Sequence, residues 1–290
     1  MSIRSLNTLA QEAASAGLRL SDLVAVDEAV ESGMTVDEIR AKTAATAEVM
    51  RQSVQAGIRQ EGRSVSGLTG GEARLYYAHA QQGGGLLGEA AAKAAAYALG
   101  ASCVNASMGV IVAAPTAGSC GILPGVLLSM QETRGFNDEQ IASALLCAAG
   151  VGQAIAARAT LSGAEGGCQA ECGSASAMAA AAAVELMGGS PETCCHGAAL
   201  ALKNSLGLVC DPVAGLVEVP CVKRNAVFAV VALTAADMAL AGIQSAIPVD
   251  EVIDAMFSIG QAMPATLRET AKGGLATTPT GCRLKREIFQ

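Results

Sequence analysis

Three cysteines in the second half of this 290-residue chain, Cys168, Cys210 and Cys221, stand beside residues that let backbone come close to a ligand: Glu165-Gly-Gly-Cys168, Cys210-Asp-Pro212 and Pro220-Cys221. Between them lie 41 and then 10 residues, so separate segments must converge if the three thiolates serve one centre. That differs from the tight spacing of electron-carrying ferredoxin clusters. Three thiolates can hold three corners of a four-iron, four-sulfur (4Fe-4S) cube, and an iron without a protein ligand then acts on substrate as a Lewis acid. Spacing alone does not select this trio. The chain has ten cysteines, and free cysteine is often a small buried apolar residue.

A second stretch carries chemistry of another kind. Asn105-Ala-Ser-Met-Gly109 and Pro115-Thr-Ala-Gly-Ser-Cys-Gly-Ile-Leu-Pro-Gly125 pack hydroxyls and bare amides around a turn, with a helix expected to begin near Leu123. A helix start presents unpaired donors to an anion such as a carboxylate. Taken with Cys168, Cys210 and Cys221, these two blocks resemble the alpha chain of the iron-sulfur L-serine dehydratases, over essentially the whole chain.

The resemblance implies a 4Fe-4S cluster on Cys168, Cys210 and Cys221, with L-serine as substrate and pyruvate and ammonia as products. It places the substrate carboxylate among Asn105, Ser107, Thr116, Gly118 and Ser119. Beside the third cysteine, Lys223 and Arg224 are of a type to offset an anionic cluster or clamp a carboxylate, or equally to open a solvated helix. It also implies a separate beta chain and an oligomeric assembly. Cys282, in a Pro-Thr-Gly-Cys context, matches a cysteine that in single-chain relatives caps the open iron, although eight residues follow it here. The general base stays open. The two histidines, His79 and His196, are candidates, and each is as readily a hydrogen-bonded structural residue. Cys172, one helical turn beyond Cys168, is a rival ligand that the resemblance does not select.

Two other readings compete. A pyridoxal-phosphate dehydratase would need a Schiff-base lysine in an alternating strand and helix pattern, and none of the six lysines has that setting. A non-catalytic cluster-binding partner protein would not need the carboxylate cradle.

The elements that must position these residues are expected to be helices. Apolar residues make up 51% of the chain, mostly alanine and small aliphatics, with 2% aromatics and no tryptophan. Alanine is the best helix former, and small side chains let helix axes approach, so the fold class expected is all-α. An N-terminal helical layer is expected over 1–62 and a helical catalytic domain over 63–290.

In the first part, Leu6, Leu9, Ala10 and Ala13, then Leu23, Val24, Val26 and Val30, recur at helical spacing. Thr35-Val-Asp-Glu38 has the capping-box pattern that opens a third helix running to about Arg59. Glycine runs at 66–71 and 81–85 frame a short helix with Tyr76, Tyr77 and His79. Further helices are expected over 138–160, over the alanine run 174–186, over 198–206, within 226–248 and around 249–263, ahead of a charged tail.

A net charge of -7 without a basic block argues against a nucleic-acid surface. The longest uncharged run, 94–131, is broken by Asn105, Pro115, Gly118, Gly121, Pro124 and Gly125, which cannot face lipid, so no membrane span is expected. Met1-Ser-Ile-Arg4 leads into a polar amphipathic stretch rather than an export signal, and ten cysteines in such a chain imply a reducing cytoplasm. The adjacent pair Cys194-Cys195 invites soft-metal binding, although neighbouring residues rarely point at one cube; packing or redox sensitivity are the alternatives.

Overall fold

Thr35 and Asn137 show how the helices begin. The computed structural model describes residues 5–83 and 85–290, so the leader reading at residues 1–4 and the middle glycine of the 83–85 run lie outside it. In the Thr35 capping box, its hydroxyl accepts from the Glu38 amide while Glu38 accepts from the Thr35 amide. Asn137 and Gln140 repeat the arrangement.

In chain order the helices are α1 (Leu6–Ser15), α2 (Leu20–Ser32), α3 (Val36–Gly57), α4 (Glu72–Ala80), α5 (Gly88–Ala106), α6 (Ile122–Arg134), α7 (Asp138–Arg158) and the single turn α8 (Gly163–Gly166). After a π-helical turn at Gln169–Gly173 come α9 (Ser174–Leu186), α10 (Pro191–Lys203), α11 (Cys221–Leu240), α12 (Val249–Ala262) and α13 (Pro279–Phe289). Among the described residues there is no strand, only an isolated bridge between Cys210 and Arg268. The protein is all-α.

The alanine run makes the central helix. Every residue of α9 from Ser174 to Glu185 is buried, and α6, α7, α10 and α11 pack around it. A helix buried on all sides has no polar face to give it a moment, and alanine supplies the closest approach. Around this hub α5 lies against α3, α4, α6 and α11, and α1 and α2 cover α10 and α7. Helix α7 is long and apolar enough to cross a membrane, but 67% of its apolar stretch is buried inside the molecule. That apolarity serves the core.

Where helices cross most closely, glycine is required. A Cβ on Gly57 of α3 would stand 2.0 Å from the Gly100 carbonyl oxygen on α5. Gly57→Ala is therefore expected to force α3 and α5 apart and cost about 1–3 kcal/mol. A thermal melt should show the drop, with unchanged midpoint marking a crossing that yields freely.

Several elements differ from the sequence reading. In α2 only the face with Leu20, Ser21, Val24 and Ala25 is buried, and Val26 and Val30 face solvent. Helix α5 continues to Ala106, so Asn105 sits in a last helical turn rather than a loop. Helix α11 starts at Cys221 itself, and the charged tail is the amphipathic helix α13, with Cys282 in its first turn.

Candidate metal centre and active site

Cys168 is delivered by a chain that cannot take side chains just before it. Gly167 has φ +75°, and a Cβ there would meet the Leu208 carbonyl at 2.8 Å and Met263 Sδ at 2.9 Å. Only glycine tolerates both constraints. The π-helical turn that follows widens the backbone, a feature concentrated at functional sites. It sets Glu171 beside Cys168, with a carboxylate oxygen 3.8 Å from the sulfur.

Cys210 lies on an irregular segment held from both sides. Its amide donates to the Leu267 carbonyl at 2.9 Å, and its carbonyl accepts from the Glu269 amide at 2.8 Å. Glu269 itself has φ +59°, an uncommon conformation for a residue with a Cβ. Cys221 opens α11 after Pro220. The loop before it is pinned by the buried carboxylate of Glu218, which accepts from Ser64 (2.5 Å), Ser66 (2.7 Å) and Thr69 (2.8 Å). The glycine-framed 66–71 stretch thus anchors the third cysteine.

These segments bring Cys168, Glu171 and Cys210 together, with one donor atom of each within 4.8 Å of the others. Cys221 is buried nearby, and the Cys168 and Glu171 charges act on its thiol. Arg224, one turn into α11, donates to Cys168 Sγ at 3.3 Å, to the Val209 carbonyl at 2.9 Å and to Asp211 at 2.9 Å. Asp211 also accepts from the Leu275 amide at 2.8 Å. The Arg224 side chain is 16% exposed and that of Asp211 5%, so the ion pair is shielded and directional.

The electrostatics follow from crowding. Hydrogen bonds from Cys172 and Cys210, with the Arg224 guanidinium, bring the Cys168 thiol down to about 3. Cys210 is pushed up by its hydrogen bond to Cys168 and by burial, and Cys172 rises for the same reasons. Burial and the Cys168 charge push Cys221 up to about 12. Burial and the same charge lift Glu171 to about 7, opposed by the Thr116 hydroxyl.

One anion is therefore stabilised and the neighbouring thiols are held neutral. A thiophilic cationic group would let the remaining thiols ionise together. The donor set is dominated by sulfur, which selects soft metals and iron–sulfur clusters. The residues fit such a group.

Facing the thiols is the turn over 116–121. Thr116 donates to Glu171 at 2.8 Å and lies 3.1 Å from Ser119 Oγ. A Cβ on Gly118 would stand 2.9 Å from the Glu171 carboxylate. Asn105 donates to the Ala117 carbonyl at 3.1 Å. Asn225 spans the turn, donating to the Gly118 carbonyl at 2.8 Å and accepting from the Gly121 amide at 2.9 Å.

Other residues singled out in the sequence lie elsewhere or are otherwise engaged. Ser107 accepts from Gln60 at 2.7 Å. His79 lies against Tyr76, with ring centroids 5.9 Å apart and the ring planes tilted by 54°. His196 Nδ1 accepts from the Ser245 amide at 3.2 Å on the far part of α10. Cys282 Sγ is 3.9 Å from the Ala276 carbonyl, and its helix packs on the turn that follows Cys210.

Sequence reasoning passed over Glu171, Glu269 and Asn225. Glu171 had a local signal, three residues after Cys168. Asn225 likewise lies one turn after Cys221, whereas Glu269 reaches the site only through long-range pairing.

The chain matches known proteins over most of its length. The family model described as "Serine dehydratase alpha chain" matches residues 15–276. A Bacillus subtilis protein named "Probable L-serine dehydratase, alpha chain" is 51% identical over 93% of this chain and 90% of its own length. The "L-serine dehydratase, alpha chain" of Peptoniphilus asaccharolyticus is 47% identical over 94% of both. A longer Streptomyces coelicolor protein named "L-serine dehydratase" is 38% identical over 92% of this chain and 59% of its own length.

Proposed function

The chain belongs to the serine dehydratase alpha-chain family, and from that premise we propose that it dehydrates and deaminates L-serine to pyruvate and ammonia on an iron–sulfur cluster held by Cys168, Cys210 and Cys221. It is thus a lyase. The single observation that carries the reading is the convergence of the Cys168 and Cys210 sulfurs on Glu171, directly opposite the hydroxyl-lined 116–119 turn.

A cluster bound by these thiolates supplies a Lewis acid that offsets the charge on the departing β-hydroxyl. The protein's own groups do the rest. The 116–119 turn, with Thr116, Gly118 and Ser119, receives the substrate carboxylate, with Asn105 bracing the Ala117 carbonyl from behind. Arg224 sits against Cys168 and Asp211 and keeps the first thiolate ionised and aimed. Glu171, hydrogen-bonded to Thr116 and touching both sulfurs, is placed to take the α-proton. The 2-aminoacrylate that leaves then hydrolyses.

Three of the six lysines are committed elsewhere: Lys93 to Glu89 and Glu132, Lys203 to Ser245, and Lys223 to Glu72. That disfavours the pyridoxal-phosphate alternative. The alpha-chain names of the relatives support a separate beta chain completing the enzyme, and the greater length of the Streptomyces relative is consistent with both parts in one polypeptide. The cytoplasm is the expected compartment for such a cluster and for so many free thiols.

Asn225 gives a test of the cradle. Removing its side chain leaves the Gly118 carbonyl and Gly121 amide without their partner, a loss of about 1–3 kcal/mol. Asn225→Ala is expected to raise KM for L-serine by roughly 5- to 150-fold while iron content stays at the wild-type level. An unchanged KM would remove the 116–121 turn from the substrate site.

A further inference from the structure

The adjacent cysteines of α10 part company in the fold. Cys195 Sγ points to the Leu6 carbonyl at 3.8 Å. Cys194 turns instead into a second buried donor cluster with Cys147 of α7 and Glu185 of α9, their donor atoms all within 4.8 Å of one another. Cys147 and Cys194 are each 1% exposed and Glu185 7%. None of these residues belongs to the site described above.

Two features of this cluster point to a ligand. Glu185 is a buried carboxylate that accepts from the Ser21 amide at 3.1 Å, with Arg19 the nearby cation that favours its charge. A buried charge is ordinarily paired or coordinated to metal. The hydroxyl of the same Ser21, in a residue 1% exposed, has no hydrogen-bond partner. Helix α2 has no capping side chain, so its N-terminal end, which favours negative charge, is aimed at Glu185. Two thiols, a carboxylate and a free hydroxyl amount to four donors.

We propose that Cys147, Cys194, Glu185 and Ser21 form a structural site for a single thiophilic divalent cation of the Zn²⁺ class. Zinc takes cysteine sulfurs at about 2.3 Å and carboxylate oxygens at about 2.0–2.2 Å in four-coordinate tetrahedral sites. Binding releases the two thiol protons to solvent and replaces them with the cation. With Glu185 ionised the site carries -1 before binding and, two protons being exchanged for one divalent cation, -1 after it, which the α2 terminus partly offsets. Before binding, the hydrogen bond to Cys194 and burial hold the Cys147 thiol neutral, and burial raises the Glu185 carboxyl above its ordinary value. The cation would tie the central helix α9 to α7, α10 and the start of α2. This holds whether or not the first site works as proposed.

The test uses protein with its cluster assembled, incubated with Zn²⁺ and freed of loose metal by gel filtration under anaerobic conditions. Wild type is expected to retain about one zinc per chain, with two sulfur and two oxygen neighbours in its X-ray absorption spectrum. Cys147→Ser and Cys194→Ser should each lose the zinc and keep the iron, whereas Cys210→Ser should lose iron and keep zinc. The proposal is overturned if cluster-loaded wild type retains no zinc. It is overturned equally if the zinc has no sulfur neighbours or more than two, or if both serine variants hold it. The wild-type spectrum decides the matter even where a core variant fails to fold.

Discussion

Cys210→Ser protein, supplied anaerobically with iron and sulfide beside wild type, is expected to lose the cluster absorbance and to form pyruvate from L-serine at under about a thousandth of the wild-type rate. The backbone of residue 210 is gripped by the Leu267 carbonyl and the Glu269 amide. The replacement hydroxyl is therefore presented in the same place, and any difference belongs to the ligand atom. Oxygen is a poor exchange for a soft thiolate on iron. Lewis-acid assistance to a departing hydroxide is worth several kcal/mol, and each 1.36 kcal/mol is tenfold in rate.

Cys172→Ser is the matched control. Cys172 is hydrogen-bonded to Cys168 and almost fully buried, yet it lies outside the proposed ligand set, and its serine variant should keep the cluster. If Cys172→Ser loses the cluster and Cys210→Ser keeps it, the ligand set is wrong.

The second large effect belongs to Glu171. Glu171→Gln is expected to reduce turnover by about 10²- to 10⁴-fold, the usual worth of a positioned proton-transfer group, with iron and sulfide per chain unchanged. The amide preserves the shape that fills the space beside Gly118 and Gly163, and it can still accept from Thr116. Wash-in of solvent deuterium at the α-carbon of serine gives a readout that a packing role would not move. It should fall together with turnover. A variant within about threefold of wild type in both measurements would reduce Glu171 to a packing residue beside the thiols.

Most of the helices were legible because their signals are local. Thr35 with Glu38 and Asn137 with the residues after it name their own helix starts. The alanine run 174–186 has no reason to be anything but a buried helix. The errors fall where a face or a boundary depends on distant partners. Val26 and Val30 match helical spacing, but α2 presents its Leu20 and Val24 side to the core. Asn105 looks like loop because glycine follows at 109, yet α5 runs on beneath it to Ala106.

The site divides in the same way. Cys168, Cys210 and Cys221 were found through resemblance, since ten cysteines make any spacing argument weak. Thr116, Gly118 and Ser119 announced themselves as a hydroxyl-rich turn. Glu171 could have been read from its place three residues beyond Cys168, had a widened π-helical turn been foreseen there. Glu269 has no local mark. It enters only because its amide pairs with the Cys210 carbonyl 59 positions earlier in the chain, a register that periodicity cannot contain.

The most direct measurement is iron and acid-labile sulfide per chain in anaerobically purified protein, taken on the same samples whose pyruvate formation from L-serine is assayed with the beta chain present. The account predicts about four iron and four sulfide per chain in fully active samples, with activity falling in proportion as the metal is stripped. Full turnover by protein stripped of iron would contradict it.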